Sequence, residues 1–161
     1  MGSFLTSSFH STNAASFCAE RSRLSQLPVG FLDVEWIGGG HPNQCFINAH
    51  SALSSAEMSI VSGWLVTPRS QDTLFAQHWW NYDNEKQKYV DRTPDVGSNP
   101  IYIADSEIAL FVAEHNLKLK SGVCSSVLVN LGGYWLISMN NLHPVHVHDI
   151  KIETLFMNDW K

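Results

Sequence analysis

The sequence predicts an α+β protein in which an N-terminal helix carrying a cysteine packs on a mostly antiparallel β-sheet. Three observations carry this expectation. The stretch "NQCFINAHSALSSAEM" places Phe46, Ala49, Leu53 and Ala56 at steps of three or four, the period of one helix face. "SIVSGWLVTP", "LFAQHWWNYD" and "QKYVDRTP" are rich in β-branched and aromatic residues and are bounded by turn formers, the pattern of strands. Near the C-terminus, "SSVLVNLGGYWLISMNNLHPVHVHDIKIETLF" reads as three more strands, with turns at Gly132-Gly133 and Asn140-Asn141. A helix followed by a run of hairpin-connected strands is an α+β order.

The elements follow in chain order. Residues 1–26 are rich in Ser, Thr and Ala and lack the basic start and long apolar centre of a secretion signal. They are expected to form a polar arm, with residues 27–161 as a single domain. "MGSFLT" formally matches a myristoylation pattern, but so short a pattern recurs by chance and an ordinary polar terminus explains it as well. "VGFLDVEWIGGGHPNQC" reads as a short strand running into a glycine-rich loop at Gly38 to Gly40. Asn43 is the expected N-cap of the helix, since its side chain can accept from a free backbone N–H. Pro68 stops the first long strand. "PIYIADSEIALFVAEHN" starts extended and turns helical at Asp105 or Ser106, residues that cap well. There are no repeats and no internal linker.

Composition narrows the function. The net charge of -5 and the lack of a Lys/Arg run argue against a nucleic-acid partner. No apolar run approaches the ~18 residues of a membrane span. The three cysteines, Cys18, Cys45 and Cys124, form no CxxC and are odd in number, which speaks against a disulfide framework or a zinc knuckle. A reduced, cytoplasmic setting fits that usage. Gly38 to Gly40 are not followed by GK[ST], so they are no phosphate loop, and no cofactor is expected. The glycines instead suit a close backbone approach or a mobile lid over a cleft.

One hairpin concentrates the chemistry. A two-residue loop at Asn84-Glu85 would set Asp83 opposite Lys86 and His78 directly opposite Asp91, with Cβ atoms roughly 5 Å apart. Alternation then places Trp80 and Tyr82 on the His78 face, and Trp79 and Val90 toward the core. A carboxylate beside a histidine fixes its tautomer and stabilises the imidazolium. Such a pair serves a third group, and Cys45, at the start of a helix, is the candidate nucleophile. Backbone N–H groups there, with Asn43 or Gln44, would hold a developing oxyanion. His41 in the loop and Trp80 beside His78 are candidate cleft residues, while His50 lies off the Cys45 face. Taken singly, each has a bland reading: a buried small cysteine, a satisfied histidine, a structural ion pair. The three together make the stronger marker.

The blocks "QCFINA", "VSGWLV", "QHWWNYD" and "VDRTP" resemble transglutaminase-like and related papain-like cysteine enzymes. Those enzymes carry a Cys at a helix start, then a strand with a "GW" element, an H-x-W, and an Asp on the next strand. The resemblance covers about Gly40 to Pro94. Trp80 supplies the Trp of H-x-W, Trp79 is an extra one, and Arg92 follows Asp91 where Pro is common. The resemblance implies attack of Cys45 on an amide or ester carbonyl, with His78 as base and acid and Asp91 orienting it. A thioester would then pass to water or an amine. The implied partner is a peptide or another amide-containing substrate, and hydrolysis is the default where no calcium-loop signature occurs.

Two other readings compete. One is a binding or structural module that keeps the fold without catalysis. The other uses "LHPVHVHD", where His143, His146 and His148, with Asp149, would ligate a metal on one strand face. Alternation of those polar residues with Val145, Val147 and Ile150 is also ordinary strand patterning.

Overall fold

The computed structural model describes residues 3–55, 57–94, 96–116, 127–131, 134–138, 142–145 and 150–155. The elements run α1 (Ser3–Leu24), β1 (Val29–Leu32), β2 (Val34–Trp36), α2 (Cys45–Ser51), β3 (Met58–Pro68) and β4 (Thr73–Asp83). They continue with β5 (Lys88–Asp91), β6 (Ile101–Asp105), α3 (Ser106–Glu114), β7 (Val127–Leu131), β8 (Tyr134–Ser138), β9 (Leu142–Val145) and α4 (Ile152–Leu155). The α+β class holds. The cysteine, however, lies on the second helix rather than the first.

The expected polar arm is helix α1, and its buried residues explain why. His10, Asn13, Ala14, Phe17, Cys18 and Arg21 recur at steps of three, one, three, one and three, a helix stripe half of whose members are polar. Each of those polar members has a partner inside. The Thr73 hydroxyl bonds the His10 ring at 2.8 Å and accepts from the Asn13 amide at 2.9 Å. Phe17 stacks on Phe75 with centroids 4.5 Å apart and meets the Trp64 ring edge-on at 5.3 Å.

Arg21 is fully buried and ties four segments together. Its Nε donates to Asp105 Oδ2 at 2.7 Å, one Nη to Glu107 at 2.6 Å, and the other to the Ile150 carbonyl at 2.8 Å. The Trp64 indole N–H donates to the same Asp105 oxygen at 2.9 Å. The expected start of α3 is observed, with Asp105 in the N-cap position and Ser106 as the first helical residue. The Asp105 side chain makes no cap bond, because Arg21 and Trp64 occupy it.

The strands form one sheet in the order β1-β6-β3-β4-β7-β8-β9. β5 pairs with the far end of β4, and β2 lies on β5 in parallel. The sheet is therefore mixed, and the antiparallel expectation is corrected at that one pair. β3 and β4 run side by side over their full lengths, from Met58 opposite Asp83 to Pro68 opposite Thr73. The other edge of β4 is shared: β5 covers Asn81 to Asp83 and β7 covers Thr73 to Ala76. No described strand pairs with Gln77 to Trp80 on that edge, and His78 sits in the gap. The three C-terminal strands appear where expected, while their turns at Gly132-Gly133 and Asn140-Asn141 lie outside the described residues.

Both faces of the sheet are covered. One carries Trp64, Val66, Phe75, Trp79 and Ile103 under the helices, and the other a smaller cluster of Leu65, Trp80, Val96 and Tyr102. Gly63 lets these layers close: a Cβ there would meet the Ile103 carbonyl at 2.0 Å and the Trp80 ring at 2.6 Å. Among the described residues, no helix is long and apolar enough to cross a membrane.

Removing one partner of a buried ion pair strands the other, at a cost of about 3–5 kcal/mol. Arg21→Ala is therefore expected to lower the unfolding free energy by an amount in that range, seen as a lower urea midpoint, and Gly63→Ala to lower that midpoint as well by prying β3 from β6. Equilibrium unfolding followed by circular dichroism checks both.

Candidate active site

The hairpin of β4 and β5 positions the first pair. Its loop is four residues, Asn84 to Gln87, not two. Asp83 Oδ1 accepts from the Glu85 and Lys86 amides at 3.1 and 2.9 Å, and Gln87 closes the turn with φ 53. The register becomes Asn81 opposite Val90 and Asp83 opposite Lys88, two residues away from expectation. Continuing it by one pair sets Trp80, rather than His78, beside Asp91. A slip of two keeps every side chain on its own face, so His78 and Asp91 become diagonal neighbours on the same side. They meet all the same, with His78 Nε2 and Asp91 Oδ2 2.7 Å apart.

Asp91 is completely buried and fully engaged. The Tyr102 hydroxyl donates to Oδ2 at 2.8 Å and the Thr93 amide to Oδ1 at 2.8 Å. Burial opposes its ionisation. The His78 hydrogen bond and charge, the Thr93 amide and the Tyr102 hydroxyl outweigh that and hold its carboxyl below the usual range. Burial, and then the charge of Asp91, push the Tyr102 phenol up, so it stays a donor.

Cys45 is the first residue of α2 and hydrogen-bonds His78. Since Nε2 faces Asp91, Nδ1 is the ring nitrogen left for the sulfur. Burial favours a neutral His78 ring. The bonds to Asp91 and Cys45, with the negative charges on both, overcome this and raise the ring to about 9. The pair is nearly sealed, with Cys45 4% and His78 3% exposed. Cys18, the other cysteine with a described side chain, is likewise outside any disulfide, and burial and then Asp105 push its thiol up.

The loop before α2 is pinned at both ends. The Ile37 and Gly38 amides donate to the Asp91 carbonyl at 2.8 and 3.2 Å, and the Gly40 amide to the Arg92 carbonyl at 2.8 Å. The Asn48 amide side chain then clasps His41, accepting from its N–H and donating to its carbonyl, both at 2.8 Å. A Cβ on Gly40 would lie 2.6 Å from Asn48 and 2.7 Å from the Arg92 carbonyl. Close backbone approach, rather than lid motion, is what this glycine serves.

Several expected roles change. Asn43 does not cap α2: it has φ 54, and Gln44 holds the N-cap position with no side-chain cap bond. The buried face of α2 runs through Cys45, Asn48 and Ala49 and continues past its end to Ala52, while Leu53 is exposed. The face is shifted because Asn48 goes inward to hold the loop. Gln44 is half-buried and His41 exposed, both just before the helix start. Trp80 is no cleft wall. It is 1% exposed and wedged between His78, at 6.0 Å, and Tyr102, at 5.3 Å between ring centroids.

Asn48, Tyr102 and Thr93 were not singled out in the sequence. Asn48 carried a signal, a polar residue three positions after the cysteine on the same helix face. Tyr102 carried none, since it sits in an ordinary strand run. Among the described residues, no three His, Cys, Asp or Glu side chains gather as a metal site would. His146, His148 and Asp149 lie outside the described residues, and of His143 only its place on β9 is given.

Compared with family models, curated proteins and solved structures, the chain finds no match.

The His78 ring is expected to stay doubly protonated at neutral pH and to lose a proton only as the pH rises through about 9. In Asp91→Asn, loss of the carboxylate removes its hydrogen bond and charge while burial remains, so that transition moves down well below 9. Nitrogen NMR of the labelled imidazole, recorded against pH, checks both values.

Proposed function

We propose that this chain is a small cysteine hydrolase or acyltransferase of the transglutaminase-like type, acting on an amide or ester bond of a peptide or other amide-containing substrate. One observation carries the reading: a single imidazole is held by a carboxylate on one nitrogen and hydrogen-bonded to a helix-start cysteine. The Cys45 sulfur attacks the carbonyl carbon, a carbon–sulfur bond forms, and the carbonyl electrons move onto oxygen. Backbone N–H groups in the first turn of α2 support that oxygen, with Gln44 beside them. The proton held by His78 passes to the leaving nitrogen or oxygen, leaving a thioester. Water, deprotonated by His78, attacks the thioester carbonyl, the carbon–sulfur bond breaks, the acid leaves, and the Cys45 thiolate with its imidazolium partner is restored. Asp91, fixed by Tyr102 and Thr93, keeps the ring oriented throughout. A thiol nucleophile suits a reducing, cytoplasmic setting.

A non-catalytic module that keeps the fold is the second reading, and the near-complete burial of Cys45 and His78 favours it. Iodoacetamide near pH 6, with mass spectrometry of each cysteine, separates the two. An ordinary thiol of pKa ~8.5 is under ~1% thiolate at that pH. Cys45 paired with His78 is expected to label stoichiometrically and far faster than Cys18 or Cys124. His78→Ala is expected to slow it about 100-fold, toward the ordinary thiol rate. Equal, slow labelling of all three cysteines would leave only the second reading.

A further inference from the structure

Exposed apolar side chains gather around this site. Six large hydrophobic residues are exposed among the described ones, and three lie within two residues of the triad or pair with it: Trp36, Ile37 and Ile47, at 54, 46 and 37% exposure. Trp36 is the register partner of Asp91, the Ile37 amide donates to the Asp91 carbonyl, and Ile47 is two residues after Cys45. Together they border the triad from its Asp91 side and its Cys45 side.

Trp36 is also held in place. Its indole N–H donates to the Thr93 carbonyl at 2.7 Å, and one edge of the ring lies 3.3 Å from where a Gly38 Cβ would be. A surface tryptophan that is both half-exposed and fixed offers a ready-made apolar platform, at little entropic cost on binding. β2 adds a second feature. Among the described residues it pairs only with β5, which leaves its other edge of N–H and C=O groups available to an extended chain.

We infer that Trp36, at the end of β2, and Ile37, the residue after it, form a specificity subsite that takes a bulky apolar or aromatic side chain of an extended peptide next to the bond presented to Cys45. This rests on the proposed cysteine chemistry. Beside Trp36, Glu35 pairs with Lys88. An acidic substrate residue would lose hydration against the apolar face of Trp36.

Dipeptide vinyl sulfones that carry Phe or Asp next to the warhead test the inference. The Cys45 sulfur adds to the vinyl carbon β to the sulfone, the carbon–carbon π bond breaks, and the imidazolium proton of His78 goes to the carbon α to the sulfone. In the unaltered protein the Phe probe is expected to label Cys45 at least about tenfold faster than the Asp probe, a discrimination within reach of one apolar pocket. Trp36→Ala and, separately, Ile37→Ser should bring the two rates to within about threefold, with iodoacetamide labelling of Cys45 unchanged. Ile37→Ser keeps the backbone bond to Asp91, so it reports on the subsite even where Trp36→Ala disturbs Gly38. Fast iodoacetamide labelling with equal Phe and Asp rates, or a preference that survives both substitutions, overturns the subsite and leaves the cysteine chemistry standing. Slow, unselective iodoacetamide labelling removes the chemistry and the subsite with it.

Discussion

The buried ion pair of Arg21 with Asp105 is the constraint on which the other parts hang. A guanidinium and a carboxylate withdrawn from water are costly unless every donor and acceptor is met. Here the donors of Arg21 reach Asp105, Glu107 and the Ile150 carbonyl, and Trp64 completes the carboxylate. One side chain thus fixes α1, the end of β6, the start of α3 and the segment leading into α4. Asp105 and Tyr102 lie on opposite faces of β6, because their separation is odd. Anchoring the strand from the α1 side therefore sets Tyr102 on the other side, where it meets Asp91. The orientation of His78 is in this sense inherited from a salt bridge on the far face of the sheet.

Around that strand, the site is assembled from local devices. The β4–β5 hairpin brings Asp91 to His78, and the parallel pairing of β2 with β5 holds the backbone of Asp91. The Asn48 clasp joins the Gly40–His41 loop to α2, the helix that carries Cys45. None of these needs a long-range segment beyond β6. That explains how a stretch of about fifty residues can contain the three reactive groups while the flanking helices supply stability.

Much of this was legible in the sequence. The strands from Met58 to Asp105, the start of α3 and the three late strands follow from period-two patterning and turn residues, which local sequence states directly. The His78 and Asp91 pair followed from the hairpin's face parity, and Cys45 from its place at a helix start. The rest failed for physical reasons. α1 was missed because half of its buried stripe is polar, and only contacts 60 or more residues away make those positions tolerable. The hairpin loop was drawn too short because the Asp83 side chain builds the turn by bonding two amides, an arrangement that residue types only permit. Trp80 was assigned to a cleft on alternation alone. Alternation gives a face and not its exposure, and here the second face is also a packed layer.

The register of the β4–β5 ribbon carries a consequence for how this hairpin tolerates change. The histidine and the aspartate stayed together although the pairing moved by two, since each residue kept its side and the bond spans the diagonal. Lengthening or shortening the tip by an even number of residues preserves that parity. An odd insertion without a compensating bulge would rotate Asp91 to the helix-covered side and present Val90 to the imidazole in its place. The tip is therefore free in composition and size but bound to an arithmetic rule set by the pleat.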